Sequence, residues 1–146
     1  MTTIAPEMTL SVNEQIEIKA SPQQAFEALL ARLGPQNVSP GGQSMHMKLE
    51  PWPGGRWFRD LGDNHGHLWG HVQVIKPPEL LEITGPLFMS YPAVSHVQFR
   101  FTESGQGATL SLQHQALGLI DPAHREGVQQ GWNHLLEGVK DHAENR

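Results

Sequence analysis

The chain has 146 residues and no cysteine, so we expect a single domain over residues 1–146, without disulfide bonds, thiolate metal sites or thiol nucleophiles. Its net charge of −5 and the lack of any Lys and Arg cluster argue against nucleic acid and anionic membranes as partners. No apolar run approaches the ~20 residues of a membrane span, and residues 1–10 lack signal-peptide features, so a cytoplasmic location is the default expectation.

The first two predicted elements are a strand and a helix. Residues 9–19 alternate between apolar and polar side chains, which is the period of a half-buried strand. Ser21, Pro22 and Gln24 form a helix start, with Ser21 as N-cap and Gln24 closing a capping box. The buried face of this helix recurs at helical spacing until Gly34 and Pro35 end it, and consists of Phe26, Leu29, Leu30 and Leu33.

Six more strand-like segments follow a loop over residues 34–44, which is rich in Gly, Pro, Asn and Ser. They cover residues 45–50, 54–60, 66–76, 79–84, 94–102 and 108–116. The turn-rich residues 61–65 predict a hairpin, and Pro77-Pro78 ends the strand that follows it.

A long C-terminal helix is expected to start at Asp121 and Pro122, because apolar residues then recur at helical spacing. Three glycines, Gly127, Gly131 and Gly138, lie within it, and each costs ~1 kcal/mol relative to alanine. Close packing against the sheet is one explanation for them. Room for a bound ligand is the other.

The order of elements, strand, helix, six strands and long helix, resembles the START-like (SRPBCC) helix-grip superfamily, and within it the homologues of the heat-shock-protein-90 ATPase activator. The segments that carry the resemblance are residues 18–29, 53–57, 70–78, 108–114 and 131–132. It implies an α+β fold in which a curved antiparallel sheet of about six to seven strands wraps around a long C-terminal helix. The superfamily includes lipid and hormone carriers, aromatic polyketide cyclases and chaperone co-factors.

Strand parity and helical spacing predict the side chains that point between the sheet and the terminal helix. We expect them to enclose an apolar cavity for a small hydrophobic or aromatic ligand, without a cofactor. The candidate cavity residues are Phe26, Leu30, Met47, Phe58, Val72, Ile83, Val97, Phe99, Leu112, His114, Trp132 and Leu136. Leu68 is expected in the same core.

His114 shares its strand parity with Leu110, Leu112 and Ala116, which predicts an inward, buried and hydrogen-bonded imidazole. It is either a core residue or a polar group that orients a ligand or acts in acid/base chemistry. One alternative function is therefore a cyclase or hydrolase that uses His114 with Arg56 or Arg59. The other is the chaperone co-factor role implied by the family name.

The histidine-rich hairpin invites a metal hypothesis, but its spacing argues against one. His67 and His71 would lie roughly 13 Å apart along one strand, too far to share an ion. His65 and His67 would still need a third ligand. We therefore expect solvated histidines rather than a metal site.

A hairpin centred on Asp63 places Trp57 opposite Trp69, on the outer face if Phe58 and Leu68 face inward. Two exposed indoles would form an apolar patch, and a homodimer through Trp57 and Trp69 is the preferred cover for it. Two alternatives are coverage by residues 2–8 and a β-bulge at Gly70 that turns Trp69 into the cavity.

Overall fold

Seven antiparallel strands form one sheet in the order β1-β7-β6-β5-β4-β3-β2, with two helices beside it. The structure, a computed structural model, describes residues 5–145. The strands are β1 Thr9–Ile18, β2 Met47–Leu49, β3 Arg56–Gly62, β4 His65–Lys76, β5 Leu80–Gly85, β6 Ala93–Ser104 and β7 Gly107–Gly118, and the helices are α1 Pro22–Leu33 and α2 His124–Glu144. This is the predicted α+β helix-grip architecture.

Helix α1 begins as its sequence predicts. The Gln24 backbone N–H donates to Ser21 Oγ at 3.1 Å, and the Ser21 N–H donates to Gln24 Oε1 at 3.3 Å, so the capping box is complete. The strands from β2 to β6 each pair with the next strand in the chain, whereas β1 pairs with β7. Since β1 and β2 lie at opposite edges, α1 and the loop after it carry the chain across the sheet.

Helix α2 starts two residues later than expected, with Ala123 rather than Asp121 as its N-cap. Pro122 and Ala123 form a turn, and Asp121 caps that turn by accepting the Ala123 N–H at 3.0 Å. The helix proper runs from His124 to Glu144. Among residues 5–145, neither helix combines the length and hydropathy needed to cross a membrane.

Polar contacts fasten both ends of α2 to strand β1. Arg125 Nη1 donates to Thr9 O at 2.7 Å near the start of the strand, and Lys140 Nζ donates to Glu17 O at 3.0 Å near its end. Glu144 accepts the Lys19 N–H at 2.7 Å. These bonds hold the long helix along one edge of the sheet.

The core lies between the inner face of the sheet, α1 and α2, and most of its predicted members are confirmed. Those that are buried as expected are Phe26, Met47, Val72, Ile83, Val97, Phe99, Leu112, Trp132 and Leu136. Leu30 is partly buried and packs against the core. The prediction that Phe58 and Leu68 belong to the core is wrong. Phe58 is half-buried beside the Arg56 guanidinium, and Leu68 is 48% exposed.

A β-bulge explains the two wrong assignments. Trp57 pairs with Gly70 and Phe58 pairs with Leu68, so Trp69 is an extra residue in β4. One inserted residue inverts the side-chain parity on one side of the bulge. Trp57 is therefore 1% exposed and faces inward, while Phe58 and Leu68 face outward.

The hairpin itself is confirmed. Gly62 pairs with His65, and the two residues between them, Asp63 and Asn64, have φ values of 52° and 62°. Positive φ at both central positions is the signature of a type I′ turn, whose twist matches that of the flanking strands.

Candidate functional site

A cavity of about 250 Å³ opens between α2, the end of α1, the loop over residues 34–46 and the bulged hairpin β3-β4. Apolar side chains form most of its wall, with four polar residues near the loop. The lining residues are Arg32, Leu33, Asn37, Val38, Ser39, Pro40, Met45, Trp57, Trp69, Phe88, Gly131, Trp132, His134 and Leu135.

Four aromatic rings make one continuous wall of this cavity. Trp57 and Trp69 meet edge to face, with ring centroids 5.0 Å apart and planes at 82°. Phe88 extends the row, at 5.7 Å from Trp69 and 5.9 Å from Trp132. Such edge-to-face contacts fix ring orientations, so the wall is held in place without a ligand.

Trp57 is also held by its polar atom. Its Nε1–H donates to Leu33 O at 2.8 Å, which satisfies one of the free carbonyls at the C-terminal end of α1. This bond ties strand β3 to α1 at the side of the cavity.

The predicted outer-face location of Trp57 and Trp69 is wrong. Both indoles lie on the inner side, and the bulge in β4 is the alternative that turns Trp69 inward. With the exposed patch gone, the argument for a homodimer through these residues is lost. Residues 2–4 of the segment considered as another cover lie outside the described residues.

The loop over residues 86–92 contributes Phe88, which sequence reasoning treated only as part of a strand connection. The Leu87 N–H donates to Trp69 O at 2.7 Å, and Leu87 has a φ of 55° although it is not a glycine. Leu87 and Met89 are buried at 3% and 4% exposure, so the loop is anchored on both sides of Phe88. Phe88 separates the cavity from a shallower depression beside Gly127.

His114 is buried and hydrogen-bonded, as predicted. Trp132 Nε1–H donates to His114 Nδ1 at 2.9 Å, and His114 Nε2 lies 2.9 Å from Ser95 Oγ. An indole nitrogen can only donate, so Nδ1 carries no proton, and the neutral ring donates from Nε2 to Ser95. Burial lowers the pKa of His114 from 6.5 to about 4, which keeps the imidazole neutral.

The polar groups considered for catalysis do not come together. His114 is 0% exposed and lies behind the Trp132 indole, outside the cavity wall. Arg56 forms an ion pair with Glu50 at 2.8 Å, and Arg59 donates to Met45 O at 3.1 Å. His114 therefore orients Trp132 rather than facing the cavity.

Of the twelve candidate cavity residues, Trp132 lies in the wall. Within the described part of the chain, the other eleven pack in the core or, like Phe58, face outward. Parity identified the inner face correctly at most positions, but the space lies toward the hairpin end of the sheet rather than at its centre. The signals of that space in the sequence were Gly131 and the alternative of a bulge that turns Trp69 into the cavity.

The three glycines of α2 have different reasons for lacking a side chain. A Cβ at Gly127 or Gly131 would have nothing within 4 Å, and Gly131 lines the cavity. A Cβ at Gly138 would lie 2.5 Å from Arg32 Nη2. Close packing therefore explains Gly138, whereas Gly127 and Gly131 leave open space.

We expect Gly131→Ala and Gly127→Ala each to raise the free energy of unfolding by about 1 kcal/mol, because alanine is the better helix former and meets no neighbour. Urea unfolding would measure both. A loss of stability in either variant would show that the added methyl group meets a neighbour at that position of α2.

The rim of the cavity is polar, and a hydrogen bond joins its two sides across the opening. His134 Nε2 lies 3.1 Å from Val38 O, and because a carbonyl only accepts, the imidazole donates. This bond joins α2 to the loop over residues 34–46. Arg32 and Asn37 stand at the same rim.

The histidines of the hairpin do not form a metal centre with other described residues. His65, His67 and His71 are exposed, and residues 5–145 contain no group of three His, Asp or Glu side chains placed to hold an ion.

Comparison with known proteins identifies a family. Residues 19–144 match the family described as Activator of Hsp90 ATPase homolog 1-like protein. No curated protein matches the sequence.

Solved structures share the fold at low sequence identity. An uncharacterised protein from Rhizobium leguminosarum superposes with a TM-score of 0.74 at 18% identity, covering 94% of this chain and 96% of its own. Ara h 8.0201 gives 0.72 at 11% identity, covering 94% and 99%. The di-domain ARO/CYC BexL from the BE-7585A biosynthetic pathway gives 0.63 at 20% identity, covering 97% of this chain and 52% of BexL.

Proposed function

The chain belongs to the Activator of Hsp90 ATPase homolog 1-like family, and from that premise we propose that it binds a small hydrophobic or aromatic molecule in the cavity beside Trp57, Trp69 and Trp132. The observation that carries the proposal is the aromatic wall facing open space beside Gly131.

The geometry supports binding because the wall is already in place. A ligand that enters would cover the half-buried rings of Trp69 and Phe88, which are ordered before it binds. The cavity, at about 250 Å³, lies just below the roughly 300 to 1,000 Å³ typical of small-molecule sites, so a ligand of one or two rings suits it.

The ligand-binding proposal is preferred to the two alternatives on the geometry of the site. An enzyme that uses His114 needs that imidazole at the cavity, whereas it lies behind Trp132. A chaperone co-factor role is suggested by the family name, and stimulation of a chaperone ATPase would be its test.

Binding can be followed through the four tryptophan indole N–H signals in NMR spectra of isotope-labelled protein. On titration with the neutral two-ring probe 2-naphthamide, we expect the signals of Trp57, Trp69 and Trp132 to shift. Trp52 is 54% exposed and outside the cavity wall, so its signal should stay in place. Absence of a saturable shift in the three cavity indoles would contradict the proposal.

We expect Leu135→Phe to abolish this binding. Helical side chains lean toward the N-terminus of their helix, so a phenyl ring at position 135 would occupy the space beside Gly131. The same change at Leu119, which is 62% exposed, should leave binding intact. Equal affinity of the two variants would place the probe elsewhere.

A further inference from the structure

Arg32 is a charged side chain in a wall that is otherwise mostly apolar. Its Nε is buried and has no hydrogen-bond partner. Within residues 5–145, the Arg32 guanidinium takes part in no hydrogen bond or ion pair. A buried donor left without a partner is destabilising, so a partner from outside the chain would stabilise this half-buried side chain.

The guanidinium is placed by helix α2. It lies over Gly138, where a Cβ would come 2.5 Å from Nη2 and 2.8 Å from Nε. His134 is one turn earlier on the same helix face and belongs to the cavity rim, as does Arg32 itself. The positive charge therefore sits between α1 and α2 at the rim.

Three other arginines of the described chain, Arg56, Arg59 and Arg125, already have partners. Arg56 is paired with Glu50, and Arg125 donates to the backbone oxygens of Thr9 and Glu7 at 2.7 Å each. No Asp or Glu among the described residues lines the cavity, so nothing acidic in the wall competes for Arg32.

We propose that the ligand of this cavity carries a carboxylate that pairs with Arg32 while its apolar rings rest on the aromatic wall. This inference rests on the proposed function and specifies its ligand class as aromatic carboxylic acids of one or two rings. A guanidinium presents a planar fork of donors that matches a carboxylate, and the pair is stronger where water is excluded.

The test compares 2-naphthoate with 2-naphthamide, which have the same rings and nearly the same shape but differ in charge. At neutral pH, the carboxylate should bind about 10- to 100-fold more tightly, the range expected for a hydrogen-bonded charge pair. Calorimetric titration gives both affinities, and the indole N–H signals confirm the location of each probe.

Two variants assign the preference to Arg32. Arg32→Met keeps the length of the side chain but removes its charge, so the roughly 10- to 100-fold preference for naphthoate over naphthamide should disappear. Arg32→Lys keeps the charge without the planar fork and should retain part of the preference.

The outcomes separate this inference from the proposed function. If both probes bind the unmodified protein equally and Arg32→Met changes neither affinity, the carboxylate inference is wrong while the ligand-binding proposal stands. If neither probe shifts the cavity indoles, the proposed function itself fails. A naphthoate preference that persists in Arg32→Met would also overturn the role of Arg32.

Discussion

Replacing Trp132 with alanine should lower the free energy of unfolding by about 3 to 5 kcal/mol, the range for truncating a large buried aromatic residue. Trp132 is 4% exposed and packs edge to face on Phe99 and Phe88, with ring centroids 5.9 Å apart in each case. The substitution also leaves His114 Nδ1 buried without a donor, which adds to the loss.

Chemical denaturation of Trp132→Ala, with Trp52→Ala as the control, would measure this effect. Trp52 is 54% exposed, so its removal should change stability by no more than about 0.5 kcal/mol. A loss below about 1 kcal/mol for Trp132→Ala would contradict the packing described for α2.

The stability of the fold should decrease as the pH falls from about 6.5 toward 4, because of His114. Burial holds its pKa at about 4 in the folded protein, below the ordinary 6.5. In this window the unfolded chain binds a proton that the folded chain does not, so acid favours unfolding. The full loss is roughly 3 kcal/mol, of which about 2 kcal/mol is expected by about pH 5.

Urea unfolding of the unmodified protein and of His114→Asn, at neutral pH and near pH 5, would isolate this contribution. The asparagine amide can still accept from Trp132 but does not titrate, and the exposed histidines are the same in both proteins. We expect the free energy of unfolding to change less between the two pH values in His114→Asn than in the unmodified protein. Equal changes in the two proteins would show that His114 is not the group responsible.

The order of elements was predictable because each boundary has a local chemical cause. The capping box at Ser21 and Gln24 sets the start of α1, and the alternation of residues 9–19 defines strand β1. The inward direction of His114 followed from the same alternation, since β7 pairs with β1 and β6 without a register shift.

The cavity was less predictable because it depends on two features that break such patterns. An extra residue in β4 turns Trp69 inward and exchanges the faces of Trp57 and Phe58, and alternation gives no sign of where it is inserted. Phe88 and the rim residues come from loops, whose course is set by contacts distant in sequence.

The contacts between α2 and β1 have a consequence for association between molecules. Strand β1 is ten residues long and lies at the edge of the sheet that residues 5–145 form. A long edge strand can recruit a strand from another chain and lead to aggregation. The cations Arg125 and Lys140 occupy the backbone oxygens of Thr9 and Glu17 at its two ends. Helix α2 thus hinders the addition of a strand from another molecule at this edge, and it also closes the core.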